Sequence, residues 1–267
     1  MSVLLEPDAH PVIAHRGNSA HAPENTLAAF DQALAAGADA LELDVRLTRD
    51  GAVVVLHDPD LVRTTGVQGL VGEMDLAAVE LLDAGARFTP DGGRSFPYRG
   101  TGLKVPLLEE VLERYAQTPL IIEPKAPEVL QPLRQLLERH AALDRTLVDA
   151  ALDAAVLPLR GGSVATGASM REVARLLARS CLPKMPSRLP YRALCIPLSY
   201  QGMPVPAAWL ARRTRAAGVV THVWTIDDPV VAARLWRAGV QGIITNDPAR
   251  MLRAREELYR TRMMPGA

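Results

Sequence analysis

Short apolar runs and amphipathic stretches alternate along almost the whole chain. The apolar runs have the length and composition of buried β-strands, and they cover residues 11–15, 40–45, 53–57, 120–123, 146–150, 163–166, 194–198, 219–225 and 242–245. Stretches with the three-and-four spacing of an amphipathic helix cover residues 25–36, 105–115, 129–140, 171–180, 207–217 and 229–238. Asp247 followed by Pro248 predicts the start of a last helix. This alternation predicts an α/β fold with a mainly parallel sheet.

Nine apolar runs are one more than an eight-stranded barrel needs. The dipeptide Asp50-Gly51 lies between the second and third runs, and it is a strong signal for a β-hairpin. If these two residues form the whole turn, Asp44 lies directly opposite His57. The third run is then an antiparallel return of the second, and eight parallel strands remain. We therefore predict a TIM-type (β/α)8 barrel, whose usual length of about 250 residues fits this chain of 267. An open doubly wound sheet ranks second, because no G-x-G-x-x-G motif follows the first strand.

Residues 59–104 have a different character from the rest of the chain. They contain one short helical pattern, over residues 75–82, followed by many glycines and prolines. A segment this long within a compact domain is usually functional. We expect a small sub-domain here, inserted after the hairpin into a single barrel domain that covers residues 1–267.

Composition and charge narrow the class of protein. Thirty basic and thirty acidic residues balance, so a general nucleic-acid binder, which would carry a basic excess, is disfavoured. No apolar run reaches the roughly 18 residues of a membrane span, and residues 1–15 lack the pattern of a secretory signal. We expect a cytoplasmic protein without stable membrane insertion, in which Cys181 and Cys195 are reduced thiols. Nothing in the composition indicates an oligomeric state.

Carboxylates occur at the ends of two predicted strands. Glu42 and Asp44 share one face of the second strand, although the apolar residues beside them indicate that the strand is covered. Glu123 ends the next barrel strand. Since the functional end of such a barrel is the carboxyl end of its strands, the three groups should meet at one mouth. Three carboxylates are oxygen ligands suited to Mg²⁺ or Ca²⁺.

Histidines and cations accompany these carboxylates. His15 and Arg16 end the first strand, Lys125 follows Glu123, and His57 ends the hairpin return. Paired histidines suit proton transfer near neutral pH, and Arg with Lys suits a phosphate.

One strand face near the end of the chain also carries polar chemistry. His222 and Trp224 alternate onto the same face of the strand at residues 219–225. Trp224 is nearer the mouth, whereas His222 lies one layer deeper and is interpreted as a core histidine.

These motifs, in this order, resemble those of the glycerophosphodiester phosphodiesterase family. The matching segments are His15-Arg16-Gly17, Pro23-Glu24-Asn25-Thr26, Glu42-Leu43-Asp44-Val45, Thr48-Arg49-Asp50-Gly51, His57-Asp58, Phe88-Thr89-Pro90-Asp91-Gly92-Gly93, Val105-Pro106-Leu107-Leu108-Glu109-Glu110, Glu123-Pro124-Lys125 and Trp224-Thr225. The resemblance covers residues 11 to 249 and implies a TIM-type barrel with a small inserted sub-domain.

The resemblance also implies an activity, the metal-dependent hydrolysis of a small-molecule glycerophosphodiester to sn-glycerol 3-phosphate and an alcohol. It implies the following roles: acid–base catalysis for His15 and His57, divalent metal binding for Glu42, Asp44 and Glu123, phosphate binding for Arg16 and Lys125, and glycerol packing for Trp224. The nucleophile is either the glycerol 2-hydroxyl, through a cyclic phosphate, or water. Analogy favours the cyclic route, while the residues leave open which histidine is the base.

The chain departs from the family pattern at two places. Asp227 stands where the family often has Asn, and the strand at residues 146–150 lacks the usual Ser-Phe pair. Both departures concern substrate preference more than the chemistry. Because the fold alone does not separate functions, three alternatives stay open. They are a lysophospholipase D-type lipid phosphodiesterase, with Met203, Val205 and Trp209 near an acyl chain, a non-catalytic ligand-binding barrel, and a metal-dependent lyase or aldolase.

Overall fold

The computed structural model of the protein describes residues 2–178 and 187–263. In chain order the strands are β1 (Val12–His15), β2 (Ala40–Leu47), β3 (Val53–Val55), β4 (Leu120–Pro124), β5 (Thr146–Val148), β6 (Ala165–Thr166), β7 (Ala193–Pro197), β8 (Ser199–Tyr200), β9 (Met203–Pro204), β10 (Val220–Trp224) and β11 (Gly242–Thr245). The α-helices are α1 (Leu27–Ala35), α2 (Val62–Thr65), α3 (Leu76–Val79), α4 (Leu108–Arg114), α5 (Leu130–Arg139), α6 (Met170–Ala178), α7 (Ala207–Thr214), α8 (Pro229–Arg237) and α9 (Pro248–Met263). Each helix predicted from the apolar spacing is present, and Asp247 caps the last one by accepting the backbone N–H of Arg250.

Eight parallel strands form a barrel. Their order is β6-β5-β4-β2-β1-β11-β10-β7. The two end strands are joined by a parallel bridge between Gly167 and Ala193, where the Ala168 N–H donates to the Ala193 carbonyl at 2.9 Å. The sheet thus closes on itself, which confirms the TIM-type barrel and excludes the open doubly wound sheet.

The hairpin between β2 and β3 is real, but the predicted register is wrong by one residue. Val45 pairs with Val55, and the Leu56 N–H donates to the Asp44 carbonyl at 2.9 Å. Asp44 therefore lies opposite Leu56, and His57 is not its cross-strand neighbour.

The physical reason for this register is the length of the loop. The Thr48 N–H donates to the Ala52 carbonyl at 3.0 Å, which leaves three residues in the loop rather than two. The Thr48 hydroxyl donates to the Asp50 carboxylate at 2.6 Å, and Gly51 takes a φ of +86°. A three-residue loop that ends with a left-handed glycine is a common hairpin type.

The segment between β3 and α4 packs against the hairpin. It contains α2, α3 and a small apolar cluster around Leu61, Val71 and Val79. The Asp50 carboxylate accepts the Leu76 N–H at 3.0 Å, which ties the segment to the hairpin loop. Its status as a sub-domain with limits at residues 59 and 104 stays a prediction.

Several strand boundaries differ from the predicted ones. The third apolar run ends as a strand at Val55 and the fifth at Val148. The short β8–β9 hairpin was not predicted, because its four residues are all exposed and show no apolar alternation. Cys195 is a free, buried thiol, whereas Cys181 lies outside the described residues. Among the described helices, none combines the length and the apolar character that crossing a bilayer requires.

His222 lies in the barrel core, as its position on the strand predicts. Its side chain is fully buried, and Nε2 donates to the Leu4 carbonyl at 2.9 Å. Burial lowers the pKa of His222 to about 4, so the ring is neutral in the folded protein at neutral pH.

We expect His222 to reduce stability in acid. In the unfolded chain the ring binds a proton as the pH falls through 6.5, whereas the folded protein resists protonation down to about pH 4. Stability is therefore lost between these values. The free energy of unfolding of the wild type should fall by about 2 kcal/mol more than that of His222→Gln between pH 7 and pH 5. Urea unfolding of both proteins measures this, and parallel losses would contradict it.

Candidate active site

The carboxyl ends of the barrel strands surround a cavity of about 260 Å³. It is lined by His15, Arg16, Glu42, His57, Ile121, Glu123, Lys125, Asp149, Ala151, Cys195, Trp224 and Ile244. Asp44 lies at its wall in contact with Lys125 and Arg16. The structure thus brings together all eight residues that the sequence analysis selected, and their catalytic and binding roles stay predictions.

The strand register brings the three carboxylates together. Asp44 on β2 pairs with Glu123 on β4, and Glu42 pairs with His15 on β1. Carboxylate oxygens of Glu42, Asp44 and Glu123 lie within 4.8 Å of one another. Glu42 and Asp44 are buried, at 6% and 0% exposure.

Two cations lie against these carboxylates. The Lys125 Nζ is 2.8 Å from both Asp44 and Glu123, and the Arg16 Nε is 3.1 Å from Asp44. Burial alone would raise the pKa of Asp44. The positive charges of Lys125 and Arg16 together have the larger effect, so the pKa of Asp44 is lowered. Burial and the charge of Asp44 hold the pKa of Glu42 well above its usual range. The three carboxyl groups supply the oxygen donors that suit a hard divalent cation, and a bound cation would offset the repulsion between Glu42 and Asp44.

Arg16 is held by a strained turn at the end of β1. Its φ is +56°, its backbone N–H donates to Glu42 at 3.0 Å, and its guanidinium donates to Glu24 at 2.9 Å. The next residue must be glycine, because a Cβ on Gly17 would lie 2.6 Å from the backbone of Ala29 in α1. Arg16 and Gly17 of the His-Arg-Gly motif therefore each have a structural reason.

His15 is oriented by a hydrogen-bond chain from β11. Asp227 accepts the Asn246 side-chain amide at 2.8 Å, which leaves the Asn246 Oδ1 to accept the His15 Nδ1–H at 2.7 Å. The Nε2 of His15 then lies 4.0 Å from Glu42. Burial, and after it Arg16, lowers the pKa of His15. Asp227, one of the two departures from the family pattern, thus positions the partner of a candidate catalytic histidine.

His57 is oriented by a second, independent network. Its Nδ1 is 2.7 Å from the Asp58 carboxylate. Arg63 of α2 donates from Nε to Asp58 at 2.5 Å and through two other nitrogens to Glu24 at 2.6 and 2.8 Å. Glu24 also forms an ion pair with Arg16. Arg63 therefore links the two carboxylates that contact Arg16 and His57.

We expect Arg63→Ala to lower kcat by roughly 10- to 100-fold, as losses of orienting partners commonly do, with a smaller change in KM. Arg63→Lys should restore part of the activity. Arg49→Ala is the matched control, because Arg49 likewise ties the inserted segment to the rest of the fold, through Asp75 at 2.5 Å, but does not line the cavity. Steady-state kinetics measure these effects, and equal losses in both alanine variants would contradict a positioning role.

Sequence reasoning missed several supporting residues. Asp58 and Glu24 lie inside motifs that were recognised, next to residues given roles. Asn246 and Asp149 directly follow β11 and β5, so the rule that function lies at the carboxyl ends of barrel strands would have found both. Arg63 had no local signal, because only the folded inserted segment brings it to Glu24.

Fold and site together define a class of protein, a TIM-type barrel enzyme. An acidic cluster and two histidines, each with its Nδ1 in contact with a polar side chain, lie at the mouth of the barrel. The family model for "Glycerophosphoryl diester phosphodiesterase family" matches residues 15–250. The chain is 32% identical over 258 residues to the glycerophosphodiester phosphodiesterase of Caldanaerobacter subterraneus subsp. tengcongensis, covering 90% of this chain and 96% of the relative.

Solved structures agree with this. A phosphodiesterase of Oleispira antarctica, determined in complex with the product sn-glycerol-3-phosphate, is 27% identical, with a TM-score of 0.75 and coverage of 93% and 97% of the two chains. The glycerophosphodiester phosphodiesterase of Thermotoga maritima is 26% identical, with a TM-score of 0.68 and coverage of 91% and 97%. The chain belongs to the glycerophosphoryl diester phosphodiesterase family, and its enzymatic activity is that of a glycerophosphodiester phosphodiesterase.

Proposed function

We propose that the protein hydrolyses glycerophosphodiesters to sn-glycerol 3-phosphate and an alcohol, with a divalent cation and with His15 and His57 as the acid–base pair. One observation carries the proposal. Two histidines with separately fixed Nδ1 atoms line the same 260 Å³ cavity as an acidic cluster. The family to which the chain belongs supports the substrate class.

The acidic cluster supplies the ligands of the cation. Glu42, Asp44 and Glu123 would hold Mg²⁺ or Ca²⁺, both of which take oxygen ligands. When bound, the ion supplies Lewis-acid stabilisation of charge on the phosphoryl oxygens. Arg16 and Lys125 line the same cavity and donate hydrogen bonds that offset the charge of the phosphodiester.

The surroundings of the two histidines differ, and this difference assigns their roles in the proposal. His15 donates its Nδ1–H to a neutral amide, and the lowered pKa of its ring favours the neutral form that a base needs. His57 has a carboxylate rather than an amide at Nδ1, and the proposal gives it the role of the acid.

The bonds change as follows. His15 takes the proton of the attacking hydroxyl, whose oxygen bonds to phosphorus. The phosphorus–oxygen bond to the alcohol breaks, and His57 gives that oxygen a proton. With the glycerol 2-hydroxyl as nucleophile, a water molecule then opens the cyclic phosphate. With water as nucleophile, one step completes the reaction.

Product analysis tests the proposal. Glycerophosphocholine, glycerophosphoethanolamine and lysophosphatidylcholine are each incubated with enzyme that has been chelated and then reloaded with Mg²⁺ or Ca²⁺. We expect sn-glycerol 3-phosphate from the first two substrates. Turnover of none of the three, or release of a different phosphate ester from the first two, would contradict the proposed reaction.

A second candidate function, lysophospholipase D-type hydrolysis, is favoured by exposed apolar side chains that follow the carboxyl end of β7 and by Trp224 at the cavity rim. Leu198, Tyr200 and Met203 are 36%, 42% and 64% exposed on and beside the β8–β9 hairpin, and Trp224 at the cavity rim is 38% exposed. Such a rim suits an acyl chain. Val205 and Trp209 do not extend it, because they pack against the core. Release of lysophosphatidic acid from lysophosphatidylcholine would support this activity.

The small-molecule substrate, the cytoplasmic location and the absence of a nucleic-acid partner complete the proposal. The first is supported by the size of the cavity and by the product complex of the Oleispira relative.

A further inference from the structure

One carboxyl group in the cavity wall has no part in the reaction described above. Asp149 directly follows β5 and lines the cavity together with Ala151 and Cys195. Among the ion pairs of residues 2–178 and 187–263, none includes Asp149. The Cys195 thiol lies beside the carboxyl group, and the Asp149 Oδ1 is buried without a hydrogen-bond partner.

The neighbouring strand leaves space for this carboxyl group. A Cβ on Gly167, which follows β6, would lie 1.7 Å from the Asp149 Oδ1 and 2.8 Å from its Cγ. The carboxyl group of Asp149 therefore occupies the volume that any side chain at position 167 would need. The Asp149 N–H donates to the Ile122 carbonyl at 3.1 Å, so the backbone below the group is fixed as well.

A carboxyl group in this position destabilises the fold unless a ligand pairs with it. Burial removes its hydration, and an unpaired polar atom does not recover that loss. Burial, and after it the charge of Glu123, raises the pKa of Asp149. Polar groups kept at such a cost inside an active-site cavity are candidates for ligand recognition.

We propose that Asp149 binds the free terminal hydroxyl of the glycerol moiety and thereby determines specificity for glycerol-bearing phosphodiesters. This inference rests on the proposed function. The phosphate side of the cavity contains Arg16, Lys125 and the acidic cluster, while Asp149 and Trp224 belong to other strands of the same wall. The terminal hydroxyl takes no part in either route, with the 2-hydroxyl or with water as nucleophile, so it is free to pair. A hydroxyl both donates and accepts, so it pairs with the carboxyl group in either protonation state.

The test combines a change in the substrate with a change in the enzyme. Glycerophosphoethanolamine is compared with its deoxy analogue, in which the terminal hydroxyl is replaced by hydrogen. In the wild type we expect kcat/KM to be roughly 10- to 100-fold lower for the analogue, because a site built for a hydroxyl rejects the ligand that lacks it. In Asp149→Ala the two substrates should differ by less than about threefold. Asp149→Asn should retain part of the discrimination, since an amide also pairs with a hydroxyl.

Controls separate the outcomes. Asp144→Ala removes an exposed carboxylate before β5, at the opposite end of the barrel, and should keep the wild-type discrimination. If the wild type has the same kcat/KM on both substrates, that result alone overturns the proposal. Discrimination in Asp149→Ala that is as strong as in the wild type would overturn it as well. The proposal would also be overturned if Asp149→Ala changed only the preference between choline and ethanolamine head groups, because the carboxyl group would then contact the leaving alcohol rather than the glycerol. A wild type that releases no sn-glycerol 3-phosphate from glycerophosphoethanolamine would instead reject the proposed function.

Discussion

Chelation of divalent cations is expected to lower kcat/KM by roughly 10³-fold, and Mg²⁺ or Ca²⁺ to restore it, because a bound cation supplies several kcal/mol of charge stabilisation to the transition state. Glu42→Gln should show a similar loss. The substitution keeps the size of the side chain but removes a buried carboxylate whose oxygen lies within 4.8 Å of those of Asp44 and Glu123. Isothermal titration calorimetry and the shift of Tm on adding the ion measure binding independently of turnover.

A second acidic group provides the matched control. Glu109, Glu113 and His140 also bring ligand atoms within 4.8 Å of one another, but they lie away from the cavity and Glu109 is paired with Arg139 at 2.9 Å. Glu113→Gln should therefore leave both metal affinity and activity unchanged. Full activity of the wild type after rigorous metal removal would reject the metal hypothesis.

The barrel was predictable because each of its strands coincides with a short apolar run in the sequence. An apolar run such as residues 242–245 becomes β11 with no change of bounds, since a strand buried on both faces is mostly apolar. The N-cap of α9 at Asp247 also has a local signal, the Pro248 that follows it. Closure of the sheet at Gly167 and Ala193 has no such signal, because it depends on how eight strands tilt together.

The hairpin register was not predictable from the dipeptide Asp50-Gly51 alone. Two- and three-residue loops both accept this pair, and the Thr48 side chain, bonded to Asp50, favours the longer one. His57 still reaches the cavity, because β3 ends at Val55 and the chain leaves the sheet before residue 57. The site was therefore located correctly although one geometric argument for it was wrong.

The active-site residues themselves were predictable to the extent that they end strands. The residues that orient them were harder to find, because a hydrogen bond such as that of Arg63 with Glu24 joins segments 39 positions apart in the sequence. No local pattern encodes such a contact, whereas the folded inserted segment fixes it.

The largest single-residue effects are expected at the two histidines. His15→Ala and His57→Ala should each lower kcat by roughly 10²- to 10⁴-fold, the usual contribution of one acid–base group, while the proteins still fold. The double variant should lose much less than the product of the two single losses, because the two groups act in one step. His21→Ala is the control, since His21 is largely exposed and lies near Asp247, at 3.5 Å, rather than in the cavity.

A p-nitrophenyl leaving group separates the two roles. Its departure needs no acid, so glycerophospho-p-nitrophenol should restore most of the activity of His57→Ala and little of that of His15→Ala.

The wild-type pH profile of kcat should be bell-shaped, and its two limbs belong to the pair of histidines rather than to either one. Burial lowers the pKa of His15, so the base stays neutral and activity should persist somewhat below pH 6.5, where an unperturbed histidine would be half protonated. Loss of the acidic limb in His57→Ala, or rescue of His15→Ala by the activated substrate, would reverse the assignment of base and acid.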